Sequence, residues 1–359
     1  MFHLDTTVLP QGARRDLFVV DGRIGAQPVG DVVTIHTGGF AVPGLVDAHA
    51  HLALASPAGG EAPEYQRITA SARAQLDAGV LLVREPGSPT RAARDLGPEQ
   101  GLPRIQTAGR FVAGVGRYFP GLAREVTPDE LPDAAVDEFL WSSHWAKVVG
   151  DFFDSEGRIV PVFPLEALKE AAARVHTAGG RIAMHCMMPE TVEQAIEAGF
   201  DSVEHGTVMT ADLVRAMAER NVTWVPTMSI APVVREMLAS DPHLEEEPVL
   251  SGLDVHPGMV RLAAELGVRV LAGTDAGMVA HGTIGTEVRL LAAAGLTSRE
   301  ALGAASWEAR RYLGLPLIED GAPADLVIYP DDPTHDLSVL AHPSLIMIDG
   351  RVILPHSPG

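Results

Sequence analysis

Residues 44–52 read GLVDAHAHL, an apolar, strand-like run with two imidazoles, His49 and His51, set on alternate positions. Side chains alternate between the faces of a strand, so this spacing points His49 and His51 the same way, toward one ion, and turns Ala48 and Ala50 the other way. Seven more strand-like runs follow: VLLVREPG (80–87), PRIQTAGR (103–110), WAKVVGD (145–151), RIAMHCM (181–187), DSVEHGT (201–207), VTWVPTMS (222–229) and VRVLAGTDAG (268–277). Helical patterns such as EYQRITASARAQLDAG (64–79) and PLEALKEAAARVHTAGG (164–180) separate most of them, and several end in Ala-Gly or Gly-Gly, as a helix closed by a C′ glycine does. Short β-branched runs alternating with amphipathic helices indicate an α/β fold with a parallel sheet and crossover helices. Eight such units in residues 43–315 match a (β/α)8 TIM barrel, which typically takes ~250 residues.

The flanking segments, residues 1–42 and 316–359, look β-like, and each carries an Asp-Gly-Arg turn, at 21–23 and 349–351. Neither is long enough to form a stable sheet alone, so the expectation is one small composite β-sandwich domain built from both termini beside a metal-binding barrel domain. The acidic stretch SDPHLEEEPVL (240–250) reads as an exposed excursion before the eighth strand.

A formal net charge of −20 argues against a nucleic-acid partner, which requires a basic surface to displace counterions. No apolar run approaches the ~20 residues of a membrane span, and the N-terminal stretch lacks the apolar core of a secretory signal. With Cys186 as its single cysteine the chain forms no internal disulfide, and a cytoplasmic protein acting on a small molecule is the expectation. Strand alternation turns Cys186 away from His185, so it reads as a small buried hydrophobe. Among 27 basic residues only Lys147 and Lys169 are lysines. Lys169 falls on an amphipathic helical pattern where an exposed charge is ordinary, whereas Lys147 lies in the apolar run WAKVVG and calls for a reason.

Barrel enzymes place their active sites at the C-terminal ends of the strands. Those ends carry His49 and His51 on the first strand, Lys147 on the fourth, His185 on the fifth, His205 on the sixth and Asp275 on the eighth. Taken singly, His185 or His205 reads as a core histidine and Asp275 as a turn or helix-capping residue. Taken together, six residues able to bind metal converge on one barrel mouth. Glu204, next to His205, is expected to face the surrounding helices, and His144 and His176 fall on helical patterns away from the site.

The phrases AVPGLVDAHAHL, GVLLVREPGS, VEHGT, AGTDAG and GAPADLVI, with the complete His-x-His, Lys, His, His, Asp set, resemble the metal-dependent amidohydrolase superfamily, in particular its imidazolonepropionase-like and Xaa-Pro dipeptidase-like branch. The resemblance implies that Lys147 adds CO2 to become a carbamate, chemistry that a primary amine can perform and arginine cannot. It implies one divalent metal held by His49, His51, carboxylated Lys147 and Asp275, and a second held by His185, His205 and the same carbamate. Nitrogen and oxygen donors favour zinc, with manganese, iron or cobalt compatible. A hydroxide bridging the pair would attack an amide carbonyl, that of a dipeptide or N-acyl amino acid, while Asp275 carries the proton to the leaving group. Family habit also suggests a homo-oligomer.

The chain departs from those relatives after the third strand, where AGVGRYFPG replaces a Gly-Gly-His segment that contacts substrate. Arg117 and Tyr118 occupy that loop, and a guanidinium there is suited to clamp a carboxylate. His281, just past the eighth strand, is a further candidate for substrate contact, and loops 54–66, 113–125, 228–256 and 278–285 are expected to set specificity. Rival readings are a cyclic-amide aminohydrolase, a lactonase or organophosphate esterase, and a metal-free barrel scaffold. Lys147, and the methionines Met187 and Met188 where the first of these has a glutamate, argue against it; the intact ligand set argues against the scaffold.

Overall fold

The computed structural model describes residues 1–28, 30–54 and 63–354. Parallel strands Leu45–Asp47, Val80–Glu85, Arg104–Thr107, Phe111–Gly114, Trp145–Val149, Arg181–Cys186, Ser202–His205 and Thr223–Val225 succeed one another around a barrel. Arg104–Thr107 and Phe111–Gly114 form one broken third position, the former pairing with the second strand and the latter with the fourth. The break falls at Gly109, whose φ is +72° and where a Cβ would stand 2.6 Å from the Glu138 carboxylate, so only glycine fits.

Residues 269–275 close the ring. Trp224 N–H donates to the Arg269 carbonyl and Leu271 N–H to that of Trp224, both at 2.9 Å. On the other side, Ala48 N–H donates to Ala272 O at 2.9 Å and Asp275 N–H to His49 O at 2.7 Å. The strands are buried on both faces, as in Val80–Glu85, because helices cover the outside and side chains fill the inside. Val46, Leu82, Trp145, Ala183, Val225 and Leu271 belong to the interior layer. The stretch read as an exposed excursion joins two helices, Ala231–Ser240 and Glu247–Glu265, that precede the eighth strand. Among the described residues no helix is long and apolar enough to cross a membrane.

The two ends of the chain meet in one seven-stranded sheet, where Leu326–Tyr329 runs antiparallel to Val33–Pro43. Both Asp-Gly turns have positive φ at both residues, 48° and 79° at Asp21-Gly22 and 50° and 73° at Asp349-Gly350, the hairpin geometry that this dipeptide favours. The sheet curls until these turns touch: a Cβ on Gly350 would lie 2.5 Å from Gly22 Cα. This single sheet folds over its own apolar face, which includes Leu4, Leu17, Leu326 and Met347.

Candidate metal centre

Asp47 ties the first strand to the eighth. Its buried carboxylate accepts from Thr274 N–H at 3.0 Å, Thr274 Oγ1 at 2.6 Å, Gln75 Nε2 at 2.9 Å and His49 N–H at 3.2 Å. Gly273 permits the close approach, since a Cβ there would fall 2.9 Å from the His49 nitrogen. Beyond this knot regular alternation lapses. Ala48 packs into the barrel interior and Ala50 against the outer helices, while His49 and His51 both turn into the cavity at the mouth.

Each of these imidazoles has one nitrogen committed. His49 Nδ1–H donates to Glu204 Oε2 at 2.6 Å and His51 Nδ1–H to the Gly87 carbonyl at 2.8 Å. Their Nε2 atoms lie 3.2 Å apart and stand 3.5 and 3.1 Å from Asp275 Oδ1. These three residues form a cluster able to hold a metal ion. His205 lies at φ 65° and Asp275 at φ 55°, left-handed conformations that side chains other than glycine adopt at a cost of about 1–3 kcal/mol. The His205 backbone is held by its carbonyl, which accepts from Trp224 Nε1–H at 2.9 Å and His256 Nε2–H at 3.1 Å. Its ring nitrogen Nδ1 pairs with Thr227 Oγ1 at 2.8 Å. The His185 ring centroid is 4.7 Å from that of His205, and its Nε2 is buried with no hydrogen-bond partner.

Lys147 is 1% exposed and lines the same cavity. Burial brings its ammonium down to about 8, against the opposing pull of Glu204. Among the described residues no carboxylate forms an ion pair with it. Asp151, the acid nearest in sequence, instead accepts from Met187 N–H at 2.9 Å, Met188 N–H at 2.8 Å and the Thr191 hydroxyl. Burial drives His49, His185 and His205 well below the usual imidazole range, the direction that favours the neutral form with a lone pair to offer. Burial alone would raise the Asp275 carboxyl, but His49 and His51 outweigh it and hold it at about 2.

Two charged residues at the centre were not legible in the sequence. Glu204 faces inward, not toward the helices: Ser202 and Glu204 share the interior face, and His205 swings in beside them because its positive φ breaks the alternation. Arg84, buried on the second strand, donates Nη2–H to both Glu204 oxygens at 2.6 Å and Nε–H to Ala48 O at 2.6 Å. Burial would raise the Glu204 carboxyl, but Arg84 and Lys147 bring it below its ordinary value. The glycine after His205 was the available signal for the turn.

The cavity encloses about 90 Å³, with the six candidate ligands at its floor and apolar walls above. Loop 113–125 supplies Tyr118, Phe119 and Leu122, loop 228–256 supplies Ile230 and Met237, and loop 278–285 supplies Met278. Of loop 54–66, residues 55–62 lie outside the described residues. Arg117 is not at the cavity: its Nη2 donates to Phe152 O at 3.1 Å and Val160 O at 3.2 Å, fastening the hairpin of Asp151–Phe153 and Ile159–Pro161. His281 also stays off the lining; its half-buried ring has no hydrogen-bond partner among the described residues, and burial lowers it to about 4. Cys186 is buried, its Sγ near the Met184 and Thr191 carbonyls. His144 and His176 are exposed, and His176 pairs with Asp201 at 2.9 Å.

The amidohydrolase family model matches residues 146–353. An uncharacterized protein of Mycobacterium tuberculosis is 38% identical over 363 residues, covering 98% of this chain and 96% of its own. A solved Xaa-Pro dipeptidase with methionine bound in its active site has a TM-score of 0.83 at 24% identity, covering 98% of this chain and 99% of that one. A prolidase complexed with N-methylphosphonate-L-proline has the same TM-score and coverage at 19% identity.

Proposed function

The chain belongs to the amidohydrolase family and is a hydrolase acting on C–N bonds; from that premise we propose that it cleaves an amide at a two-metal centre. His49, His51 and Asp275 would hold one divalent cation and His185 and His205 the other, with Lys147 as its CO2-derived carbamate contributing to both. The observation that carries this reading is a convergence of lone pairs. With Nδ1 of His49 on Glu204 and Nδ1 of His51 on Gly87 O, the neutral tautomers of the two rings would turn Nε2 lone pairs toward the Asp275 carboxylate, an arrangement that a cation relieves. The His185 Nε2, buried without a hydrogen bond and with Asp151 Oδ1 3.7 Å away, supports a second site beside the first. Nitrogen and oxygen donors suit zinc, with manganese, iron and cobalt compatible.

When bound, such a centre supplies a water made nucleophilic near neutral pH and a Lewis acid for the scissile carbonyl. The chain's own groups do the rest. Lys147, with its neutral amine accessible near pH 8, forms an N–C bond to CO2 and releases one proton. Asp275 accepts the proton of the attacking water and passes it to the leaving nitrogen. Glu204 and the Gly87 carbonyl fix the tautomers of His49 and His51. The similarity to a Xaa-Pro dipeptidase and a prolidase supports a peptide-like amide as the scissile group, that of a dipeptide or N-acyl amino acid.

The test is turnover of an amide panel by chelator-stripped protein reloaded with Zn2+ under CO2. Cleavage that vanishes on stripping and returns with metal is expected. Metal-loaded protein that cleaves no amide contradicts the reading.

A further inference from the structure

The walls of the cavity constrain the substrate more tightly than its floor does. Phe111, Tyr118, Phe119, Phe152 and Phe153 all line it, and their rings form a continuous cluster with neighbouring centroids 5.0–5.5 Å apart. Four of the chain's ten phenylalanines are spent here. Aliphatic side chains from the helix Ala231–Ser240, among them Val234 and Met237, complete the lining. Above the floor, Tyr118 and Thr207 are the polar side chains among the described lining residues, and both are neutral hydroxyls.

Above the metal-ligand floor, a substrate carboxylate finds no cationic side chain among the described lining residues. Among the described lining residues there is no arginine, and the one lysine is Lys147 at the floor. Arg117, in the loop after the third strand, lies outside the lining, its Nη2 donating to the Phe152 and Val160 carbonyls and its Nε buried without a hydrogen bond. Residues 55–62, which follow Leu54 of the lining, read ASPAGGEA and hold no basic residue. In a dipeptide or N-acyl amino acid the carboxylate stands two bonds from the scissile nitrogen, so it enters the cavity with the reacting group. Desolvating that anion without a partner costs several kcal/mol, while an aromatic or branched group in its place gains from burial.

Resting on the reading that this centre cleaves amides, we propose that its substrate is a neutral aryl or alkyl amide, bearing an aromatic or branched apolar group and no carboxylate next to the scissile bond. Such a substrate differs from the dipeptides or N-acyl amino acids expected from the sequence in lacking the carboxylate. Tyr118 and Thr207 suit a neutral carbonyl or ether oxygen, and the ring cluster suits a flat aromatic group packed edge to face.

Two matched pairs of phenylacetyl amides isolate the carboxylate: the pyrrolidine amide against the proline amide, and the benzylamide against the phenylglycine amide. Binding to the zinc-loaded protein is measured by calorimetry, and turnover is followed separately by chromatography of the products. In both pairs the carboxylate-free member is expected to bind at least about tenfold more tightly, and to be cleaved with the higher kcat/KM. The inference is overturned if the carboxylated member of either pair binds as tightly, or if no member binds. The expected order of binding without cleavage upholds the apolar chamber and contradicts amide hydrolysis instead.

Discussion

His49 can offer Nε2 to a cation because Glu204 takes its other nitrogen, and Glu204 stays ionised in the barrel interior because Arg84 forks onto it. Replacing Glu204→Gln is expected to weaken metal affinity by about 10–100-fold, read by competition with a chromogenic chelator. The same change strands the Arg84 guanidinium and should cost about 3–5 kcal/mol of stability in chemical denaturation. Lys147 makes a prediction of its own. Only the neutral amine adds CO2, and burial places its titration near 8. At fixed dissolved CO2, the activation rate of stripped protein should therefore climb about tenfold per pH unit below 8 and level off above it. A rate indifferent to pH between 6 and 8 counts against the carbamate. The six donors were legible as residue types at strand ends, and the rarity of lysine marked Lys147. Glu204 was not, since strict alternation assigns it to the wrong face once His205 takes up a positive φ.

At the scale of elements, Glu287 on the helix Ile284–Ala294 carries part of the cavity wall. Its buried carboxyl accepts from Met228 N–H at 2.9 Å, Ser229 N–H at 2.8 Å and Ser229 Oγ at 2.5 Å, holding the turn that presents Ile230. Burial raises this group from 4.5 to about 7. Its folded value lies above the unfolded one, so the associated stability is complete below about pH 4.5 and is lost as pH rises through 7. The loss amounts to at most about 3 kcal/mol. Thermal melts of Glu287→Gln should show a flatter dependence between pH 5 and 7 than the parent protein, and an unchanged slope contradicts this assignment. All eight barrel positions could be read from alternating runs and helices. The continuation of the third strand through Phe111–Gly114 could not, because the break depends on Gly109 meeting Glu138, 29 residues further along the chain.

For the whole molecule, the curl of the terminal sheet depends on contact between two glycine turns far apart in sequence. Gly22 combines φ +79° with Asp349 O at 2.8 Å from any added Cβ. Gly22→Val is expected to lower stability by at least about 1–2 kcal/mol, seen as a lower denaturant midpoint, and a neutral result contradicts the close contact. The Asp-Gly-Arg repeats were visible in the sequence; that they touch was not, since only the closed sheet brings them together. In the proposed centre, donors gathered by the whole barrel would bind metal through a modified Lys147. The most direct test is metal content by plasma mass spectrometry after loading under CO2, for the parent protein beside Lys147→Ala. About two equivalents per chain are expected in the parent and no more than about one in the variant. Two equivalents in both, or none in the parent, contradicts the proposed centre.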